Sequence, residues 1–395
     1  MMAFMITCIS LVMPGPGKVS IELAVTAPAD TNELFVSGST PQLGPWKADA
    51  LKATLGPDGR FHATIQAQTG TVVEFKFTRG SWETVEKDED GADIPNRRLK
   101  VSESAKYEYT VHRWADSGQP IPPQPKKTPK HSLTGDIRFH EEFPSKFLHD
   151  ARSLIVYLPP DYKDNADRRY PVLYMHDGQN LFDAATSFMG IEWQADETAQ
   201  RLIKSKKIPA IIIVGIYNTP QRMNDYTPTR DAKKGIGGKG GDYTRFVIEK
   251  VKPFIDRTYR TKPDARNTAV AGSSLGGLIS LDMAYRHPNT FSKCGVISPA
   301  LMWDDSRLLK EIEKNPAPLK GVRLWIDMGT AEGDNLVEFK KATDATRRLA
   351  EALRKAGFKD GKDFKYAEIE GGHHNEADWA RRLEEILTFL FQPQS

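Results

Sequence analysis

Two serines stand side by side in "AVAGSSLGGL", residues 269–278, fenced by glycines. The stretch fits Gly-x-Ser-x-Gly in one register, with Gly272, Ser274 and Gly276 at the fixed positions. A serine nucleophile held on a sharp strand-to-helix turn needs small neighbours, so that the helix can pack closely and the hydroxyl stands clear. In this register Ser274 is the nucleophile, and Ser273 turns into hydrogen bonds that hold the turn. The backbone N–H of Leu275, at the start of the helix, is a donor for a developing oxyanion.

A nucleophilic serine needs a base and an acid that orients the base. In this strand–helix layout they follow in the order Ser, acid, His, each after a later strand. "TAEGDN" offers Glu332 and Asp334, and "HHNEADW" offers His373 and His374. Glu332 lies closer to its strand end and is preferred, with Asp334 as the alternate. His374 leads into a new helix and is preferred over His373. "PVLYMHDGQNLFD" supplies the second oxyanion donor from Gly178 or Gln179, and places His176 beside the substrate. Trp303, in "SPALMW", is a second pocket residue. His176 and Asp177 have no further cluster at ligand spacing, so no metal is expected. The acyl-enzyme chemistry needs no cofactor. "KKGIGGKGGDY" lacks the phosphate-loop spacing and reads as a mobile loop bordering the site.

The elements that must position these residues run from about residue 133 onward. β-branched runs ("RSLIVYLPP", "PVLYMHDG", "AIIIVGIY", "NTAVAGSS", "KCGVISPA", "VRLWIDMG", "FKYAEIEGG") alternate with amphipathic ones such as "YTRFVIEKVKPFIDRTYR" and "WARRLEEILTFLF". Alternation of this kind predicts an α/β fold: a doubly wound, mostly parallel sheet with helices on both faces and chemistry at the strands' carboxyl ends. Residues 18–115 differ. Short alternating runs such as "FHATIQAQ" and "VVEFKFTRG", split by turn residues, predict a small all-β sandwich. Between them, residues 116–132 are Pro-rich and read as an extended linker. The expected domains are therefore a leader over 1–17, the sandwich over 18–115, the linker over 116–132 and the α/β domain over 133–395.

The 395-residue chain has a net charge of +3, too weak to argue for nucleic acid or an anionic membrane. Its two cysteines, Cys8 and Cys294, exclude a disulfide framework. No run reaches the roughly 18 to 20 apolar residues of a membrane span. "MMAFMITCISLVM" has signal-core length without the basic start of a standard signal peptide. Secretion or periplasmic export is expected if it is cleaved, and a cytoplasmic location if it is not.

With "LYMHDGQNLFD", "RMNDYTPTR", "AVAGSSLGGL", "GTAEG" and "GGHHNEADW" in hand, residues 133–392 resemble the putative-esterase family of α/β-hydrolases. Feruloyl and acetyl esterases and enterochelin-type siderophore esterases belong to it. The resemblance implies Ser274 as nucleophile, His374 as base and Glu332 as acid, where many members carry Asp. "LFVSGSTPQLGPWKADAL" and "EFKFTRGSWETVEKDEDGADIPNRRLKV" resemble a starch-binding-type carbohydrate module. That resemblance implies sugar stacking on Trp46 and Trp82. The expectation is a serine carboxylesterase acting on acetyl or feruloyl esters of saccharides, with a polysaccharide as a partner of the module. A siderophore esterase or acyltransferase on the same scaffold, and a non-catalytic glycan-binding protein, stay open.

Overall fold

The computed structural model describes residues 18–44, 46–101, 103–117, 131–332 and 336–392. The expected leader, Cys8, most of the expected linker and the alternate acid Asp334 lie outside them. The described residues form two compact units, the break in sequence falling after residue 117.

The first unit is built from two four-stranded sheets. One carries Lys18–Thr26 between Phe61–Gln68 and Ala105–Thr110; the other carries Phe35–Gly38 and Val72–Thr78 at its centre. Along Phe61–Gln68 every second residue is buried, as period-two alternation requires of a half-buried strand. Ile21 pairs with Ile65 and Leu23 with Ala63, and these side chains meet Phe75, Phe77 and Trp114 in one core.

The second unit is an eight-stranded sheet. Its strands are β1 (Asp136–Phe143), β2 (Arg152–Leu158), β3 (Val172–His176), β4 (Ile212–Ile216), β5 (Thr268–Ser273), β6 (Lys293–Ile297), β7 (Arg323–Gly329) and β8 (Phe364–Ile369). The spatial order is β1-β2-β4-β3-β5-β6-β7-β8. β1 and β2 run antiparallel to their neighbours, and every pair from β4 to β8 is parallel. Seven of these strands were expected. β1, "DIRFHEEF", was not, because a charged edge strand with no fully buried residue carries little apolar signal.

Strand residues alternate between two cores. Val172 and Tyr174 of β3 enter one, and Leu173 and Met175 the other. Six helical segments cover the faces: α1 (Ala195–Lys204), α2 (Gly240–Thr258), α3 (Leu275–Arg286), α4 (Trp303–Lys314), α5 (Leu336–Lys355) and α6 (Glu376–Phe391). α1 and α6 pack on the Leu173 side, and α2 to α5 on the Val172 side. α2 passes through a π-turn at Val247–Val251, just before Pro253, whose ring cannot donate to the preceding turn. α4 was not anticipated. Its first turn is left-handed at Asp304, Asp305 and Ser306, which masks the helical period at its start.

Candidate active site

Ser274 sits between β5 and α3 with φ 58° and ψ −122°, a region that L-residues rarely occupy. The surroundings fix it there. Its N–H donates to Ile297 O at 3.1 Å, and its carbonyl accepts from Leu278 N and Ala300 N at 3.0 Å each. Small neighbours are required: a Cβ on Gly272 would stand 2.9 Å from Gly276 C, and one on Gly277 would stand 2.8 Å from Ile297 O. Ser273 ends β5, paired with Ile297 and buried, whereas Ser274 is half-buried. The neighbouring serines are thus divided by one peptide into a strand residue and a turn residue.

The last strands deliver the acid and the histidine. Glu332, buried just after β7, accepts from His374 Nδ1 at 2.9 Å. Its other oxygen accepts from Gly329 N at 2.8 Å, from the Ser298 hydroxyl, and from Arg382 Nη2 at 3.3 Å. The Ser298 hydroxyl also accepts from Trp379 Nε1 at 3.0 Å and Arg382 Nη2 at 2.6 Å. Both of its lone pairs are then occupied, so its proton goes to Glu332. Burial pushes the Glu332 carboxyl up, but the hydrogen bonds from His374 and Ser298 and the Arg382 charge outweigh it and hold its pKa below the ordinary value. An ionised Glu332 only accepts, so His374 carries its proton on Nδ1 and leaves Nε2 free to act as a base. Trp379 meets the His374 ring edge-on at 5.0 Å and limits its rotation. Among the described residues no hydrogen bond closes between Ser274 and His374, as is common for such pairs without substrate.

Asp327, inside β7, supports this arrangement from below. It accepts from Ser298 N at 3.1 Å and Trp325 Nε1 at 2.6 Å, and lies 3.5 Å from Arg382 Nη1. Burial pushes its carboxyl up to about 6 against the pull of Arg382. Sequence reasoning missed Asp327, Ser298, Arg382 and Trp379. They come from three elements and form no motif; only the buried-face spacing of Trp379 and Arg382 on α6 hints at them.

The remaining expected residues separate. His373 is exposed, its ring nitrogen 3.2 Å from Ala331 O, and the hydrogen bond to Glu332 is made by His374 instead. The N–H groups of Leu275, Gly178 and Gln179 donate to no acceptor among the described residues, which leaves them free for a ligand oxygen. His176, expected beside the substrate, is the last residue of an all-buried strand and is 2% exposed. Its Nδ1 meets Tyr243 Oη at 2.8 Å, and burial pushes its pKa down to about 3, so it stays neutral. Trp303 is half-buried and tied through Nε1 to Thr229 O at 2.7 Å. The glycine-rich loop beside it is a short hairpin, Arg230–Asp231 against Ile236–Gly237. A Cβ on Gly237 would stand 2.5 Å from the Trp303 ring, so Trp303 buttresses this hairpin.

Among the described residues one acidic group brings ligand-type atoms together. Glu192, Asp196 and Glu197 each offer a carboxylate oxygen within 4.8 Å of the others. Their other bonds grip the start of the domain. Ser132 Oγ donates to Glu192, Thr134 N to Asp196 at 2.6 Å, and Thr134 Oγ1 to Glu197 at 3.2 Å. Burial pushes Glu192 up to about 7, and burial with the Glu197 contact raises Asp196.

Residues 145–390 match the family model described as "Putative esterase". The chain belongs to this esterase family. Its relatives include an endo-1,4-beta-xylanase/feruloyl esterase of Xylanibacter ruminicola, 28% identical over 291 residues, which cover 71% of this chain and 35% of that protein. The match therefore spans about a third of that relative. The ferri-bacillibactin esterase of Bacillus subtilis is 29% identical over 201 residues, 47% of this chain and 66% of that protein. Among solved structures, the enterobactin esterase of Shigella flexneri with enterobactin superposes at a TM-score of 0.55 and 14% identity, over 95% of this chain and 93% of that one. A ferulic acid esterase does so at 0.52 and 20%, over 66% and 98%. At these identities the likeness is one of fold: an α/β-hydrolase, here preceded by a β domain.

The esterase also matches the family described as "Starch binding domain" over residues 18–111. In that unit the rings of Trp46 and Trp82 lie 6.5 Å apart at 37°, and Trp82 is 42% exposed. Trp46 has φ 66° and is held by its N–H to Gly38 O at 2.9 Å.

Proposed function

We propose that this carboxylesterase works through an acyl-enzyme formed on Ser274. His374 Nε2 takes the hydroxyl proton as Ser274 Oγ attacks the ester carbonyl carbon. The carbonyl oxygen, now an oxyanion, is held by the N–H groups of Leu275 and of Gly178 or Gln179. Collapse breaks the bond to the alcohol, which leaves with the proton from His374. Water then attacks the acyl-enzyme, His374 takes its proton, and the free acid departs with Ser274 restored. Glu332 fixes the imidazole tautomer and stabilises its charged form. The doubly wound reading of the sheet puts all these groups at the carboxyl ends of β3, β5, β7 and β8.

The observation that carries the reading is the 2.9 Å contact of Glu332 with His374 Nδ1, made by residues that follow successive strands in the order the chemistry requires. An ester carried on a saccharide, with an acetyl or feruloyl acyl group, is the proposed substrate. The starch-binding match and the relative named as a xylanase and feruloyl esterase support it. A siderophore triester is the second reading, favoured by the likeness to the enterobactin esterase over 95% of this chain. The test is turnover of feruloyl-saccharide, acetyl-xylan and catecholate trilactone esters by the parent protein and Ser274→Ala. Hydrolysis of feruloyl or acetyl saccharides at least tenfold faster than the trilactone supports the first reading. The reverse ratio supports the second.

A further inference from the structure

The loop after β3 carries a charged clamp that the reaction itself does not use. Asp177 lies one residue past the strand, 7% exposed, with φ 57° and ψ 47°. This left-handed conformation is uncommon for a residue other than glycine. It turns the chain so that Gly178 and Gln179 follow with N–H groups that meet no acceptor among the described residues. Gly178 is pressed against β4, where a Cβ would stand 2.6 Å from Gly215 C, so the loop cannot settle deeper.

What holds the turn is the segment after β4. Arg222 meets the Asp177 carboxylate fork to fork, Nε to Oδ1 at 2.7 Å and Nη2 to Oδ2 at 2.8 Å. Asn218 Nδ2 adds a bond to Oδ1 at 2.6 Å. Asp177 N–H donates to Tyr226 Oη at 3.2 Å, and Asn218 N–H donates to the Gln179 side-chain oxygen at 3.2 Å. The same carboxylate lies against the nucleophile helix: a Cβ on Gly276 would stand 3.4 Å from Asp177 Oδ2. A bare carboxylate there would oppose an oxyanion forming nearby. A carboxylate closed in a bidentate guanidinium pair opposes it far less.

The geometry points to Asp177 and Arg222 as a positioning pair for the oxyanion site. The pair holds the strained turn that aims the Gly178 and Gln179 N–H groups, and Arg222 cancels the charge that doing so requires. This inference rests on the acyl-enzyme reading above. Neither residue touches the reacting atoms.

The pair predicts an unequal double-mutant cycle. With p-nitrophenyl acetate, Arg222→Met should lower kcat by about 10²- to 10³-fold, the scale of losing one oxyanion donor. KM should stay within about threefold of the parent. Asp177→Asn, which keeps the shape and one acceptor, should lose about tenfold. The double variant should be no worse than Arg222→Met, because removing the carboxylate relieves the charge left uncovered. Affinity for an arylboronic acid, which forms a tetrahedral adduct on the serine, should fall in step with kcat. Arg222→Lys, which keeps the charge without the fork, should recover part of the loss. Additive losses, an intact kcat, or a rise confined to KM overturn the proposal; the last would make Arg222 a substrate contact. Asp177→Asn carries the test if Arg222→Met does not fold. Fluorophosphonate labelling of Ser274 in the parent protein separates the two levels. No label means that the acyl-enzyme reading fails, whereas a label with unchanged kcat in the variants fails this inference alone.

Discussion

Glu332 holds His374 with one carboxylate oxygen and spends the other on Gly329 N–H and the Ser298 hydroxyl. The acid therefore cannot swing away from the imidazole without breaking buried bonds. Glu332→Gln should lower kcat by up to about 10⁴-fold, because an amide no longer enforces the Nδ1–H tautomer. His374→Ala should lose as much, and His373→Ala no more than a few-fold. Ser298→Ala removes one bond to Glu332 and should cost about tenfold. Steady-state kinetics on a soluble aryl ester decides. A dead His373→Ala with an active His374→Ala would reverse the assignment.

The two serines make opposite predictions. Ser274→Ala should abolish turnover by about 10⁴-fold or more. Ser273→Ala should stay within about tenfold, since Ser273 is a buried strand-end residue. Mass spectrometry of the protein treated with a fluorophosphonate should find the adduct on the peptide carrying Ser274 and lose it in Ser274→Ala alone.

The buried acids make stability depend on pH. Glu192 has its carboxyl raised to about 7 by burial, against an ordinary value of about 4.3. Between those values the folded protein keeps a proton that the unfolded chain has released. Raising the pH through this window therefore favours unfolding, and the loss is complete above pH 7. Glu192→Gln cannot titrate and still accepts from Ser132. Its Tm relative to the parent should rise by on the order of a few degrees between pH 4.5 and pH 7.5. Parallel melting curves across that range would rule Glu192 out as the source.

The stacking assignment of Trp46 and Trp82 concerns the polymer rather than the ester. Replacing either with Ala should weaken binding to soluble starch or a cyclodextrin by about tenfold or more, the scale of a lost aromatic face. Turnover of p-nitrophenyl acetate should not change. Equal loss of both activities would mean that the substitutions disturb folding, and unchanged starch affinity would remove the stacking assignment.

Local pattern explains what was legible beforehand. Ser274 and Glu332 each follow a buried apolar strand, His374 follows one that mixes apolar and charged residues, and strand ends are visible as breaks in such runs. The choices among neighbours rest on the register of one motif for Ser274, on distance from a strand end for Glu332 and on the start of a helix for His374. Ser298, Asp327 and Arg382 were invisible because their meaning lies in side chains converging from β6, β7 and α6. The burial of His176 was hidden for a related reason. The five-residue strand that it closes is buried throughout, so being last in the strand did not bring it to the surface. β1 went unseen because an edge strand is written in charge. Arg222 was quoted within a motif, but its partner Asp177 lies 45 residues away, and no periodicity links them.

The turn at Ser274 sets hardiness against turnover. A serine at φ 58° and ψ −122° costs the fold on the order of 1–3 kcal/mol, a penalty that glycine would not incur. The inert Ser274→Gly protein should melt no lower than its working parent, and above it where backbone relief outweighs glycine's greater freedom when unfolded. On the nucleophile reading, the position gives up endurance for turnover, and a search for stability alone would replace this serine.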